Sequence, residues 1–256
     1  MELKDKIVVI TGAGSGIGRE LARRFKQEGA KGLVLADINT TNVEETAAEV
    51  SGLAITVDVA KEADIINLVE RTEAEVGPID LFCSNAGIAT ASDLNSPNEE
   101  WQRIWEINVM SHIYAARAVV PRMIARGGGY LMNTSSAAGL LNQIGSVEYG
   151  VTKHAAVGFG EWVALTHGHE GIKVSMLCPQ AVRTAMTDND GVGTAAASVD
   201  GMMEPEELAE VVIEGLRKES FLILPHPIVL EYMQRKTSDY DRWISGMSRL
   251  QQKIMG

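Results

Sequence analysis

The sequence predicts a single α/β domain: a doubly wound parallel sheet of about seven strands with helices on both faces. Three observations carry this. Short apolar runs alternate with longer amphipathic stretches along the chain, the pattern of repeated β-α-β units. A glycine-rich turn, Thr11-Gly12-Ala13-Gly14-Ser15-Gly16-Ile17-Gly18, joins the first apolar run to the first amphipathic one. No Pro- or Ser-rich linker divides the 256 residues, so 1–256 reads as one domain with a sizeable core.

The first strand is placed at 6–11, on Lys6-Ile7-Val8-Val9-Ile10, and the first helix at 17–28. Strand, glycine turn and helix in that order form a Rossmann-like dinucleotide site. Glycine lets the backbone approach a ligand closely, and the helix N-terminus offers free N–H groups to a pyrophosphate. The second strand, 32–37, ends on Asp37. A carboxylate there accepts both ribose hydroxyls of an adenosine and repels a 2′-phosphate. Ile38 and Asn39 follow it with no basic residue, and the glycine turn carries Ser15. The expected cofactor is therefore NAD.

Further strands are expected at 53–57, 79–84, 129–134, 172–178 and 220–225, with helices near 42–50, 62–76, 98–126, 148–169 and 205–218. Right-handed crossovers then give the doubly wound arrangement. In the helix at 148–169, Tyr149 and Lys153 stand four residues apart and share a face. A nearby ammonium favours the phenolate and lowers the tyrosine pKa from ~10. Such a tyrosine can exchange a proton with an alcohol.

Composition excludes several function classes. A formal net charge of −11 argues against nucleic-acid or anionic-membrane partners, which need basic surface. No apolar run approaches the ~20 residues needed to span a bilayer, and the acidic start Met1-Glu2-Leu3-Lys4-Asp5 does not read as a secretory signal. Cys83 and Cys178 read as small buried thiols in a reducing cytoplasm, which makes the expected location cytoplasmic. His112, His154, His167, His169 and His226 lack partners at ligand spacing, so no metal is expected.

Several ordered motifs resemble the short-chain dehydrogenase/reductase family over nearly the full length. Thr11-Gly12-x-x-x-Gly16-x-Gly18 is similar to its dinucleotide turn, and Asp58-Val59 to the pair that contacts the adenine ring. Ser84-Asn85-Ala86-Gly87 resembles the segment after the fourth strand, with Ser in place of the first Asn. Asn108 stands mid-helix at the position of the family's structural and catalytic Asn, and Asn133-Thr134-Ser135-Ser136-Ala137-Ala138-Gly139 resembles the segment with the catalytic serine. Ser136 stands 13 positions before Tyr149, the family spacing, and alternation turns Ser135 to the opposite side.

The resemblance implies roles. Tyr149 is the acid or base. Lys153 stabilises the tyrosinate and reaches the nicotinamide ribose. Ser136 donates to the substrate oxygen, and Asn108 holds a water that links Lys153 to solvent. Pro179-Gln180-Ala181-Val182-Arg183-Thr184 resembles the Pro-Gly-x-x-x-Thr segment beside the nicotinamide, with Val182 and Thr184 holding the carboxamide. Gln180 replaces the usual Gly, which puts the local turn in doubt because Gly permits positive φ.

The expected substrate pocket comprises Ala89, Ala138, Leu140, Leu141, Ile144, Gln180, Met186, Met202 and Met203. It is largely apolar and adaptable, and suits a hydrophobic secondary alcohol or ketone. The segment 185–204 reads as a mobile lid without secondary structure. A homotetramer is expected, with apolar faces of the helices 98–126 and 148–169 pairing and the C-terminal extension 225–256 packing against a neighbour. The competing enzyme reading is an NADPH-dependent ketoacyl-type reductase, which Asp37 opposes. The non-enzyme reading is a dinucleotide-binding scaffold or sensor, which the intact Ser136, Tyr149 and Lys153 oppose.

Overall fold

In the computed structural model, which describes residues 1–188 and 191–255, seven strands form one parallel sheet. They are β1 (Ile7–Thr11), β2 (Gly32–Asp37), β3 (Leu53–Thr56), β4 (Leu81–Ser84), β5 (Gly129–Thr134), β6 (Ile172–Leu177) and β7 (Leu222–Ile223). The order across the sheet is β3-β2-β1-β4-β5-β6-β7. The chain winds outward from β1 to β3, then crosses back to β4 and winds the other way. The reversal between β1 and β4 opens a crevice at the carboxyl ends of those strands, where ligands bind in such sheets.

Apolar runs become strands here because both faces are covered. Every residue of β1 is buried. Along β2 the side chains alternate: Leu33 and Leu35 join one core, Val34 and Ala36 the other. The first core packs beneath α1 (Gly16–Gln27), α2 (Thr40–Val50) and, later in the chain, the helix Pro205–Lys218. The second packs beneath α3 (Glu62–Glu75) and the helices Ser111–Ala125 and Val147–His167. Helix starts follow local chemistry. The Asn39 side chain accepts from Asn42 N at 3.1 Å at the head of α2, and Glu204 and Glu207 form a capping box around Pro205.

The helix expected over 98–126 is interrupted. It runs as α4 (Asn98–Trp105), a π-helical turn (Glu106–Met110) and α5 (Ser111–Ala125). Asn108 lies in the widened turn. Beyond it come α6 (Ala138–Leu141), α7 (Val147–His167), α8 (Val192–Ala197), α9 (Pro205–Lys218), α10 (Ile228–Ser238) and α11 (Tyr240–Met255). The segment 185–204 thus contains a short helix, a correction to the structureless lid. Val182 and Met203 form a β-bridge at its base, with Arg183 N donating to Met203 O at 2.9 Å and Met203 N to Ala181 O at 3.1 Å. Asn189 and Asp190 of that segment lie outside the described residues. The extension beyond 225 carries α10 and α11, ending at Met255, and β7 keeps two of the six expected residues because it pairs along one edge only.

The expectation that the apolar faces of the helices 98–126 and 148–169 stay free needs correcting. Ala116, Val119, Val120 and Val157 belong to the core, so they offer no surface to a neighbour. Trp162 and Leu165 of α7 do remain exposed, at 56% and 84%.

Candidate active site

The crevice at the carboxyl ends of β1 and β4 is a single cleft of about 1230 Å³ that runs from the glycine turn to the C-terminal helices. Its nucleotide end is built by close backbone approach. Gly12 has φ +65°, and a β-carbon there would stand 2.9 Å from Ala86 Cα. A β-carbon on Gly18 would overlap the Gly12 carbonyl. Gly18 therefore lets α1 meet the turn and does not itself line the cleft, unlike Gly12, Ser15, Gly16 and Ile17. Ser15 precedes α1 in extended conformation without a side-chain cap. The first-turn N–H groups of α1 are thus left to an anion.

Asp37 ends β2 facing this turn. Its Oδ2 accepts from Gly14 N at 2.9 Å and its Oδ1 from Asn39 N at 2.9 Å. Ile38, 69% exposed, covers the same edge. Arg19 comes near: its Nη2 donates to Gly14 O at 2.7 Å and its Nε to Thr46 at 3.0 Å, with Glu45 at 3.7 Å. It lies behind the turn, away from the cleft lining. Asp58 and Val59 line the cleft after β3, with Asp58 Oδ1 held by Ala60 N at 3.1 Å.

Thr11 and Thr134 join the two ends of the site. Thr11 Oγ1 accepts from Asn85 N at 3.0 Å and Ala86 N at 3.1 Å, while Asn85 Nδ2 donates to Thr11 O at 3.1 Å. Thr134 Oγ1 donates to Asn85 Oδ1 at 3.0 Å. Asn85, Ala86 and Gly87 are thereby locked between β1 and β5 along the cleft wall. Sequence reasoning missed both threonines as framing residues; the signal was Thr11 opening the glycine motif.

At the middle of the cleft, Tyr149 and Lys153 project from α7 and Ser136 from the end of β5. Lys153 is 3% exposed; its Nζ donates to Thr134 O at 3.1 Å and lies 5.5 Å from the Tyr149 ring centroid. Burial pushes its pKa down to about 8. Burial also raises the Tyr149 phenol above its ordinary value, an effect the Ser136 hydroxyl opposes. The expected lowering by the ammonium is therefore corrected for the protein alone: desolvation dominates the shift, and the ammonium, 5.5 Å from the ring centroid, is not among its causes. Ser136 Oγ donates to Pro179 O at 3.3 Å and accepts from Ala138 N at 3.1 Å. Ser135 points away, donating to Lys153 O at 2.9 Å.

Asn108 is fully buried beneath these groups and outside the cleft lining. Its Oδ1 accepts from Ile88 N and its Nδ2 donates to Ile88 O, both at 2.9 Å, and Nδ2 also reaches Thr152 at 3.2 Å. The π-helical turn makes room for this side chain. A β-carbon on Gly87 would lie 3.2 Å from both Asn108 Oδ1 and Lys153 Nζ, so those groups converge on one backbone position.

Pro179, Gln180, Val182 and Thr184 line the opposite wall. A β-carbon on Gly16 would come 3.0 Å from Thr184 Cγ2, so this segment faces the glycine turn. Gln180 does not adopt positive φ, which removes the doubt over its turn. Its N–H donates to His226 Nδ1 at 3.2 Å and its Nε2 to Asp200 at 3.1 Å.

The far end is lined by Ala89, Ala138, Leu141, Ile144 and Met186. Leu140 turns instead into the cluster of Ala137, Leu141 and Val229, and Met203 into the core with Leu208. Met202 is also absent from the lining. Their places are taken by Tyr232, Trp243, Met247 and Leu250 of α10 and α11, so the extension faces its own cleft.

The residues fit a nicotinamide dinucleotide: a glycine cradle at a helix start, a pinned carboxylate at β2 and a phenol with hydroxyl and ammonium further along. Among the described residues no three metal-ligating side chains cluster, and no helix is long and apolar enough to cross a membrane.

Comparison with known proteins agrees. The short chain dehydrogenase family matches residues 6–193. The chain is 35% identical to epidermal retinol dehydrogenase 2 of Homo sapiens over 231 residues, 86% of this chain and 74% of that protein. It is 34% identical to estradiol 17-beta-dehydrogenase 11 of Pongo abelii over 229 residues, 85% and 74%. A short-chain dehydrogenase/reductase from Burkholderia phymatum in complex with NAD superposes with a TM-score of 0.87 at 26% identity, covering 94% of this chain and 96% of that one. The chain therefore belongs to the short-chain dehydrogenase/reductase family of oxidoreductases.

Proposed function

We propose that the protein transfers a hydride between NAD(H) and a hydrophobic secondary alcohol or ketone, with Tyr149 as general acid/base. The observation that carries this is the meeting of Tyr149, Ser136 and Lys153 at the middle of one cleft whose nucleotide end is closed by Asp37. Gly12, Ser15, Gly16, Ile17 and the α1 N-terminus would hold the pyrophosphate, Asp37 and Ile38 the adenosine ribose, Asp58 and Val59 the adenine. Asn85, Ala86, Gly87, Pro179, Val182 and Thr184 would flank the nicotinamide. That ring, when bound, supplies the hydride acceptor or donor.

The chain's own residues handle the proton and the oxygen. In the oxidation direction the Tyr149 phenolate takes the hydroxyl proton of the substrate. Ser136 donates a hydrogen bond to that oxygen as its charge changes. Lys153 supplies the positive charge that steadies the phenolate, which burial alone disfavours. In reduction the same groups run in reverse.

The apolar far end, with Leu141, Ile144, Trp243 and Met247, favours a bulky apolar substrate, in line with the retinol and estradiol in the names of the relatives. The segment 185–204 is read as the substrate lid, carrying Met186 and α8 over the cleft. The exposed Trp162 and Leu165 are read as part of a homotetramer contact, which light scattering tests. A panel of alcohols and ketones with NAD(H) and NADP(H), followed by absorbance of the reduced nicotinamide, tests the activity. No turnover with any apolar alcohol or ketone would overturn it.

A further inference from the structure

Glu148 is fully buried and stands directly before Tyr149 in the first turn of α7. Its Oε2 accepts from Thr90 Oγ1 at 2.8 Å, and its Oε1 is buried without a hydrogen-bond partner. Burying a carboxyl is costly, and one bond from a neutral hydroxyl returns only part of the cost. An apolar side chain of similar size would fill the same space without it. Stability therefore does not account for a carboxyl here; what the carboxyl holds does.

Thr90 belongs to 88–96, part of the connection from β4 to α4, which forms neither helix nor named strand. Three anchors tie this segment to the rest of the fold. Asn108 holds both backbone groups of Ile88, each at 2.9 Å. Glu148 holds Thr90. Ser92 N donates to Gly145 O at 3.4 Å, Ser92 Oγ accepts from Glu148 N at 3.4 Å, and Ser92 bridges to Ser146. Both 3.4 Å bonds are long, so the 2.8 Å bond to Glu148 is the firm one beyond Ile88. After Ser92 the hydrogen bonds close on the segment itself, with Asn95 N donating to Asp93 Oδ1 at 2.7 Å and Asp93 N to Ser96 Oγ at 3.2 Å. Thr90, Ala91 and Ser92 line the cleft together with Ile144 and Tyr149. The segment is thus one wall of the cleft, tied to the helix that carries the phenol.

We propose that Glu148 is a positioning residue for substrate: through Thr90 it clamps the 88–96 wall to the start of α7, which fixes the width of the cleft beside Tyr149 and so the bulk of the alcohol or ketone bound there. This rests on the reading of the cleft as an alcohol or ketone site. Glu148 does not itself line the cleft; it acts through Thr90.

The test compares the parent with Glu148→Gln, Thr90→Val and the double variant Thr90→Val/Glu148→Leu, all as full chains. Thr90→Val alone leaves the buried carboxyl without its donor and should lower the melting midpoint. The double variant replaces both partners by apolar groups of similar shape, so its midpoint should return to that of the parent or exceed it. Its KM for an apolar secondary alcohol should nonetheless stay raised by about 10-fold, with the larger part of the change in KM rather than kcat, because binding and not chemistry has lost its frame. Its preference between a bulky and a small alcohol should shrink as well. Glu148→Gln keeps a carbonyl acceptor for Thr90 and should hold KM close to that of the parent. A double variant with the KM and preference of the parent would overturn the proposal and leave a packing role alone. A Glu148→Gln variant whose KM rises as far as that of the double variant would overturn it too, since the acceptor would then not be what holds the wall. If the double variant does not fold, Thr90→Val against Thr90→Ser, which keeps the hydroxyl, carries the KM comparison. If the parent turns over no alcohol or ketone, the functional reading fails, while hydrogen exchange still decides the clamp. The amides of 88–96 should exchange faster in the variant that lacks the Thr90 hydroxyl than in the parent, and equal rates would overturn it.

Discussion

Asp37 is expected to set cofactor choice, and Asp37→Ala measures how strongly. Its two oxygens are pinned by Gly14 N and Asn39 N, each at 2.9 Å, so the carboxylate cannot swing away from an incoming group. A phosphate on the adenosine ribose would carry ~1.5–2 negative charges. At ~5 Å, two unit charges repel by about 3 kcal/mol at an effective dielectric of ~20, and by under ~1 kcal/mol in water. Asp37 is half-buried, so about 2–3 kcal/mol applies, a preference for NAD of ~10²-fold. No cation offsets it, because Arg19 is engaged by Gly14 O, Thr46 and Glu45. Asp37→Ala removes the repulsion and also the ribose acceptor, at about 1 kcal/mol for a hydrogen bond. Efficiency with NAD should fall ~5-fold and that with NADP should rise, bringing the ratio within ~10-fold of unity. The assay is kcat/KM with each cofactor at fixed substrate. A parent that favours NADP, or a ratio unmoved in Asp37→Ala, would refute the reasoning.

Tyr149→Phe keeps the ring but loses the proton carrier; turnover should drop by at least ~10²–10⁴-fold, with dinucleotide affinity by fluorescence titration largely kept. Ser136→Ala should cost far more rate than Ser135→Ala, since Ser135 spends its hydroxyl on the Lys153 carbonyl; the opposite ranking would show the serine was misassigned. Gly18→Ala should abolish cofactor binding without touching the catalytic groups, because the added carbon overlaps the Gly12 carbonyl; calorimetry with NAD(H) measures it. Lys153→Met should alter the pH dependence of stability. The folded lysine sheds its proton near 8 and the unfolded one near 10.5. The unfolded state therefore binds more protons between those values and stability rises with pH there. Denaturant melts of the unliganded protein should lose that rise in the variant.

The sheet was legible because its strands are buried on both faces and read as continuous apolar runs, such as Ile7 to Ile10. The glycine turn and Asp37 were legible because backbone chemistry at a strand end constrains residue type locally. The break at Glu106–Met110 was not, since nothing near Asn108 in sequence announces the contacts with Ile88 and Thr152 that widen the turn. The extension 225–256 was read as surface for a neighbour because its apolar residues lack a partner in sequence; folding brings Tyr232, Trp243, Met247 and Leu250 to the cleft.

By itself, then, the sequence determined the alternation of elements, the strand–turn–helix nucleotide cradle and the spacing of Tyr149, Lys153 and Ser136, all of which depend on near neighbours or on a recurring motif. Tertiary structure decided what distance in the chain conceals. Thr11 locks Asn85, and α11 roofs the cleft. It also decided the electrostatics: Tyr149 and Lys153 are four residues apart in any helix, but burial shifts both of them away from their charged forms. Desolvation depends on everything packed around a group, and that is a property of the assembled core.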